Sequence, residues 1–206
     1  MKPSAKAVRQ ARQAKGERMF VPDQILALLN TASTQMKAMI LLGVNCGYGN
    51  TDVADLPMSA VDLDGGVIDF PRPKTAVSRR ATLWLETVEA LREAIAARPK
   101  PKAPEDEGLV FNTKDGNRSL KINGNNNTII DAVCKQLGKL ARTGFCTLRY
   151  TFRTVADETR DFPAVDRIMG HEDSSSMATR YCERINNDRL RAVTDHVRTW
   201  LFGKTG

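Results

Sequence analysis

The chain has 206 residues, 41% of them hydrophobic and 27% charged, with a formal net charge of +7 and a pI near 9.4. That supplies one good core, or a core plus a small appendage, so one globular domain is expected. No apolar run reaches the roughly 18 residues that span a bilayer. The start, Met1 to Arg18, is basic and polar with no apolar segment behind it, so neither a membrane span nor a signal peptide is expected and the location read from the sequence is cytoplasmic.

The charge is unevenly spread. Residues 1–18 hold six lysines and arginines (Lys2, Lys6, Arg9, Arg12, Lys15, Arg18) against Glu17, a net of +5, which leaves +2 for the other 188 residues. Any affinity for a polyanion must then come from a local cationic face together with this arm, and a solvated tail is the equally open reading of the same residues.

In chain order, Pro22 and Asp23 open a short helix with Ile25, Leu28 and Leu29 at helical spacing. Met36, Met39, Ile40 and Gly43 continue into a second helix, which Gly47 and Gly49 break, and a brief helix follows over Asp52 to Leu56. The run Val61 to Phe70, with Asp64-Gly65-Gly66 at its centre, reads as a hairpin, and Ala81-Thr82-Leu83 as a third strand, with Lys74 in the turn between the second and third strands. An amphipathic helix is expected from Glu86 to Ala97 with Val88, Leu91 and Ile95 inward, then a loop from Arg98 to Gly108 carrying Pro99, Pro101 and Pro104. Leu109-Val110-Phe111 reads as an isolated buried strand. Three more helices carry apolar stripes at Ile129, Val133, Leu137 and Leu140, at Leu148, Phe152 and Val155, and at Leu190, Val193, Val197 and Leu201. The architecture expected is mostly helical with one small sheet and no internal repeat.

The four cysteines, Cys46, Cys134, Cys146 and Cys182, lie far apart without C-x-x-C spacing, and only two histidines, His171 and His196, are present to join them. Free thiols and no metal are expected. Cys146 is expected to be a small buried residue rather than a nucleophile.

The last third carries the chemistry. Leu148-Arg149-Tyr150-Thr151-Phe152, then Met169-Gly170-His171, then Arg180-Tyr181 supply an arginine, a histidine and a tyrosine in that order. Together with Lys74 in its sheet turn within Pro73-Lys74-Thr75, this order resembles the catalytic domain of tyrosine recombinases, the phage-integrase family, over roughly Phe20 to Leu201. The family's H-x-x-R motif falls on Cys146-Thr147-Leu148-Arg149, its L-G-H motif on Met169-Gly170-His171, and its nucleophile on Tyr181. Two positions depart: Gly49 stands where the resemblance places the first arginine, with Asp52 keeping the acidic position after it, and Cys146 stands where it places the first histidine.

The resemblance implies an α+β, mostly helical fold with a three-stranded antiparallel sheet. Residues 1–19 would be a basic arm or interdomain linker and residues 20–206 the catalytic-type domain. It also implies that Tyr181 attacks a DNA phosphodiester to leave a 3′-phosphotyrosyl bond and a free 5′-hydroxyl, with no cofactor. Arg149 would hold non-bridging oxygens through its planar fork, His171 would donate to the same phosphate, and Lys74 would protonate the departing 5′-oxygen. Arg72, Arg79 and Arg80 flank Lys74 and are candidates to replace the missing cation. The partners implied are double-stranded DNA and further copies of the chain on that DNA, with no membrane. Each residue also has a structural reading: Tyr181 as a packed or surface tyrosine, Arg149 as a solvated charge, His171 as a helix cap, Lys74 as an exposed turn residue.

Three functions fit: a recombinase that integrates or excises mobile DNA, a relative that binds DNA or active partners without cutting, and a type IB topoisomerase-like activity. The family usually adds an amino-terminal helical domain that clamps the duplex, and its last helix often docks on a neighbouring protomer. Here only about twenty residues precede the catalytic-type region, so weak, salt-dependent DNA binding is expected, and the last helix packs either on a neighbour or on its own core.

Overall fold

The computed structural model describes Ser4 and residues 19–118, 144–171 and 184–203. The rest of the amino-terminal arm to Arg18, the stripe from Ile129 to Leu140, Tyr181, Cys134 and Cys182 lie outside the described residues. Helix α1, Pro22–Thr31, starts on a proline at its first position, and the Gln24 side chain accepts from the Val21 N–H at 3.1 Å, satisfying a donor that the helix leaves open. Its Ile25, Leu28 and Leu29 are buried as their spacing predicts. Helix α2, Thr34–Asn45, is buried along its whole second half, from Ala38 to Asn45, and is the central element of the core.

Helix α3, Asn50–Ala54, is one turn long and starts two residues earlier than its hydrophobic pattern suggests, because Asp52 accepts from the Gly49 N–H at 2.7 Å and fixes the first turn there. Strands β1 (Val61–Asp62), β2 (Val67–Asp69) and β3 (Arg80–Thr82) then form an antiparallel sheet in the order β1-β2-β3, with Ile68 opposite Val61 and Ala81. Helix α4, Leu85–Ala96, packs on α2. Its buried face is Thr87, Ala90, Leu91 and Ala94; Val88 and Ile95 lie at the margin, packed against the core but partly exposed, because small residues let α4 approach α2 closely.

Leu109, Val110 and Phe111 are buried as expected but form no strand. Their backbone is used in pairs with the Leu56–Met58 segment instead: Val110 N–H to Leu56 O at 2.9 Å and Met58 N–H to Gly108 O at 2.8 Å. Helix α5 runs Cys146–Ala156 and α6 runs Phe162–Met169. Cys146 is exposed, contrary to expectation: it begins α5 on the face it shares, four residues on, with Tyr150, while Leu148, Phe152 and Val155 face the core.

The last helix, α7 (Asn187–Phe202), buries Leu190, Val193, Val197 and Leu201 against β3, α5 and α6 of its own chain. Thr82 and Thr194 share a hydroxyl hydrogen bond at 2.8 Å, and the Trp84 indole donates to Thr194 O at 2.8 Å. The helix thus packs on the core of its own chain. Among the described residues no helix is long and apolar enough to cross a membrane.

Candidate active site

Four pieces of chain far apart in sequence meet around Arg149: the Gly47–Asp52 bend, the β2–β3 segment, α5, and the end of α6. Arg149 lies on α5 with its side chain turned inward, 13% exposed, so its charge must be matched. It gives Nη1 to the carbonyl of Gly47 and Nη2 to that of Met169 at 3.0 Å. These are backbone acceptors at or just past the ends of α2 and α6, where carbonyls lack helical partners. Gly47 can offer its carbonyl because it adopts φ +62°, and a Cβ there would stand 2.8 Å from the Phe152 ring, so only glycine fits.

His171 follows directly. Helix α6 ends on Gly170 in the left-handed conformation, φ +64° and ψ +45°, and the His171 N–H bonds to Asp166 O at 2.9 Å. That turn sets His171 Nε2 at 2.8 Å from Arg149 Nη2. Burial holds the imidazole pKa below its ordinary 6.5, and the Arg149 and Arg72 guanidiniums lower it further, so at neutral pH the ring is uncharged. Nε2 is then the acceptor from Arg149, and Nδ1 carries the proton, 3.7 Å from Asp166 Oδ1. Burial, assisted by Arg72 and Arg79, pushes the Arg149 pKa down to about 10, with Asp52 working against them, and the group stays a cation.

Asp52 is the anion of the site. One carboxylate oxygen is 3.0 Å from Arg79 Nη1; the other accepts from the Gly49 N–H and is 3.8 Å from Arg149 Nη1. Arg79 is completely buried. Its guanidinium lies 3.8 Å above the Tyr48 ring and 5.3 Å from the Phe70 ring, and Nε donates to Phe70 O at 2.9 Å. Asp52 is out of line for a hydrogen bond to it, and among the described residues neither Nη1 nor Nη2 has a hydrogen-bond acceptor. Tyr48 is itself fully buried, and burial holds its phenol well above its usual pKa, so it serves as an uncharged platform.

The remaining candidates divide. Arg72 stands beside the site, since its Cβ and Arg79 Cδ both crowd the space above Gly170. Arg80 points the other way, because residues 79 and 81 share one face of the strand and 80 and 82 the other. It pairs with Asp69 at 2.8 Å and bonds Asn187 Oδ1 at 2.9 Å, tying the sheet to α7. Lys74 is exposed in the turn that the Arg72 carbonyl closes by accepting from Thr75 and Ala76, and no hydrogen bond or ion pair holds its side chain among the described residues. Gly49 begins α3 with its N–H on Asp52 and Cys146 sits at the start of α5, so neither supplies a cation. Tyr181 lies outside the described residues. Tyr48 is the residue the sequence reading missed; its only signal was an aromatic side chain between two glycines, four residues before Asp52.

The chain matches the model of the phage integrase family over residues 18–187. Among solved structures it resembles XerA recombinase at 20% identity, covering 87% of this chain and 65% of that one, with a TM-score of 0.60. The integrase of the Tn1549 transposon in complex with circular intermediate DNA shares 17% identity over 88% of this chain and 68% of that one, with a TM-score of 0.65. The integrase from mycobacterium phage Brujita shares 19% identity over 96% of this chain and 60% of that one, with a TM-score of 0.63. At these identities the likeness is one of fold, and the α+β fold with a three-stranded sheet expected from the sequence is the fold found. The chain spans 60–68% of the length of these three proteins. No curated protein sequence matches it.

Proposed function

Because this chain belongs to the phage integrase family, we propose that it cuts and rejoins double-stranded DNA at specific sites through a covalent link to Tyr181. The observation that carries this reading is Arg149: a nearly buried guanidinium, joined at 2.8 Å to His171 and matched, among the described residues, by a single carboxylate that it shares with a second arginine. Among the described residues the site holds more positive than negative charge in a dry setting, which an incoming phosphodiester would balance.

The Tyr181 oxygen attacks phosphorus, the P–O5′ bond breaks, and a 3′-phosphotyrosyl bond and a 5′-hydroxyl form; the phenolic proton leaves to solvent. Arg149 turns from His171 to the phosphate, whose negative charge raises the imidazole pKa so that His171 takes up a proton and donates as well. Lys74, unconstrained in its turn, delivers the proton to the departing 5′-oxygen. Attack by a second 5′-hydroxyl reverses the step with the bond energy conserved. Residues 1–19 would lie as a basic arm along the duplex, residues 20–206 form the catalytic unit, several copies would assemble on the DNA, and the setting is cytoplasmic.

A second reading, DNA binding without cleavage, rests on Gly49 and Cys146, where two expected donors are replaced. Losing one preorganised donor to a transition-state oxyanion costs about 10²–10³ in rate. A pool of nicked duplexes of random sequence, incubated with the full chain and resolved on a denaturing gel, tests both. A covalent adduct that vanishes in Tyr181→Phe is expected. An adduct formed only by the Gly49→Arg, Cys146→His double variant would favour the second reading, and none from either protein would remove cleavage altogether.

A further inference from the structure

The position where the resemblance places the first arginine is occupied by Gly49, yet the acid three residues on, Asp52, is present and buried. Its partner is Arg79, brought from the start of β3. We propose that Arg79 replaces the guanidinium missing at position 49 and, once DNA is bound, donates Nη1 and Nη2 to the same phosphate as Arg149. This deepens the cleavage reading above and takes from it the identity of the anion.

Three observations carry it. First, Asp52 divides its oxygens between the two arginines, 3.0 Å to Arg79 and 3.8 Å to Arg149, so both guanidiniums stand on one carboxylate. Among the described residues two cations and one anion in a nearly dry setting leave one positive charge unbalanced, and Arg72 beside them adds to the excess. Second, a fully buried arginine ordinarily spends all of its donors, because a buried unpaired donor is costly. Here Nε is spent on Phe70 O, which fixes the orientation, and among the described residues Nη1 and Nη2 are left without acceptors. A phosphate accepts such a fork in the bidentate manner for which arginine is suited. Third, the stack on Tyr48 at 3.8 Å, together with the Nε bond, holds the plane of the guanidinium in one orientation. Arg80 is held off by Asp69 and Asn187 and cannot play this part.

The test has two arms. In the first, inorganic phosphate is titrated into the full chain while the arginine guanidinium ¹H–¹⁵N resonances are followed by NMR, with the Arg79 signals assigned by their absence in Arg79→Lys. Phosphate is expected to shift the Arg79 and Arg149 signals together. Movement of Arg149 without Arg79, or of neither, overturns the proposal.

In the second arm, single-turnover adduct formation is measured for Arg79→Met, for Arg79→Lys, and for Arg79→Lys combined with Gly49→Arg. Arg79→Lys keeps a charge beside Asp52, so it remains informative if Arg79→Met fails to fold. A loss of about 10²–10³ is expected on removing the fork, with at least tenfold returned by Gly49→Arg, whose Cβ would meet only Asp52 Oδ2, at 3.3 Å. Adduct formation by Arg79→Lys at the parent rate overturns the proposal. If the parent chain forms no adduct, the cleavage reading fails on its own and the phosphate titration alone decides for or against Arg79.

Discussion

The guanidinium of Arg79 lies 3.8 Å above the ring of Tyr48, and the buried Tyr48 hydroxyl has no hydrogen-bond partner among the described residues. The ring and the hydroxyl therefore make opposite contributions. A desolvated cation–π contact is worth about 2 kcal/mol, whereas an unsatisfied buried hydroxyl costs about 1–3 kcal/mol. Tyr48→Phe is expected to leave the urea midpoint unchanged or raise it. Tyr48→Leu, which loses the ring, is expected to cost about 2–4 kcal/mol by the same measurement.

Asp52 gives a second prediction, because it serves three groups at once: the Gly49 N–H, Arg79 and Arg149. Asp52→Asn preserves the shape and strips the only described carboxylate from two inward-facing guanidiniums. Breaking a buried pair on one side costs about 3–5 kcal/mol, since the other charge stays buried without its partner. Arg79→Met removes that stranded charge. Urea unfolding of both single variants and the double should give a double-mutant loss well below the sum of the singles; additivity would mean that the two groups do not interact.

His171 predicts a pH dependence. Its folded-state pKa lies below the ordinary 6.5, owing first to burial, then to Arg149 and Arg72, with Arg153 adding slightly and Asp166 opposing. The unfolded chain thus binds a proton that the folded chain refuses. Above pH 6.5 the group is neutral in both states and has no effect; as pH falls below it, stability is lost until the folded pKa is passed. This window lies above that of Glu86 and Asp161, whose carboxyls are held down by Arg198 and Arg189 and release their stability at lower pH. Melting temperatures measured between neutral and mildly acidic pH should decline in the parent and stay flatter in His171→Gln.

How far these features could be read in advance depends on the range of the forces that make them. The hairpin around Asp64-Gly65-Gly66 and the helix faces of Leu28 and Leu148 are set by local turn chemistry and period, and both were legible. The inward face of α4 was legible in Leu91, with Val88 and Ile95 packed on the core at its margin; that Thr87, Ala90 and Ala94 take the deepest positions against α2 is a fact about the partner helix. Cys146 was misjudged: residue type favours burial, but its angular position beside Tyr150 on α5 faces out. Arg72, Arg79 and Arg80 were indistinguishable by proximity to Lys74. Strand alternation separates 79 from 80, and only the fold reveals that the face of residue 79 meets Tyr48 and Asp52.

The two described cysteines should differ sharply toward a thiol reagent. Cys46 is fully buried and its thiol pKa is driven far up by burial, with Arg79 only partly opposing, so almost no thiolate forms. Cys146 is exposed. In a Cys134→Ser, Cys182→Ser background, one thiol per chain is expected to react with an aromatic disulfide under native conditions, and Cys146→Ser should abolish that fast phase. The second thiol should appear only on unfolding. Fast labelling that survives Cys146→Ser would contradict the burial of Cys46.

Gly170 joins the backbone of the site to its charges, and it yields the last prediction. With φ +64° it occupies a conformation that costs a residue with a side chain roughly 1–2 kcal/mol. An added Cβ would also stand 3.1 Å from Arg72 Cβ and 3.3 Å from Arg79 Cδ, so both arginine stems would have to give way. Gly170→Ala should therefore lower stability by at least the backbone term of about 1–2 kcal/mol and disturb Arg79, with His171 carried along by its neighbouring peptide. Gly49→Ala is the contrast: its φ is −98° and its only near contact is Asp52 Oδ2, at 3.3 Å, so a small change is expected. Urea unfolding of the two variants, read together with the Arg79 guanidinium resonance, separates the cases. Equal effects at positions 49 and 170 would mean that Gly170 is not held against the arginines.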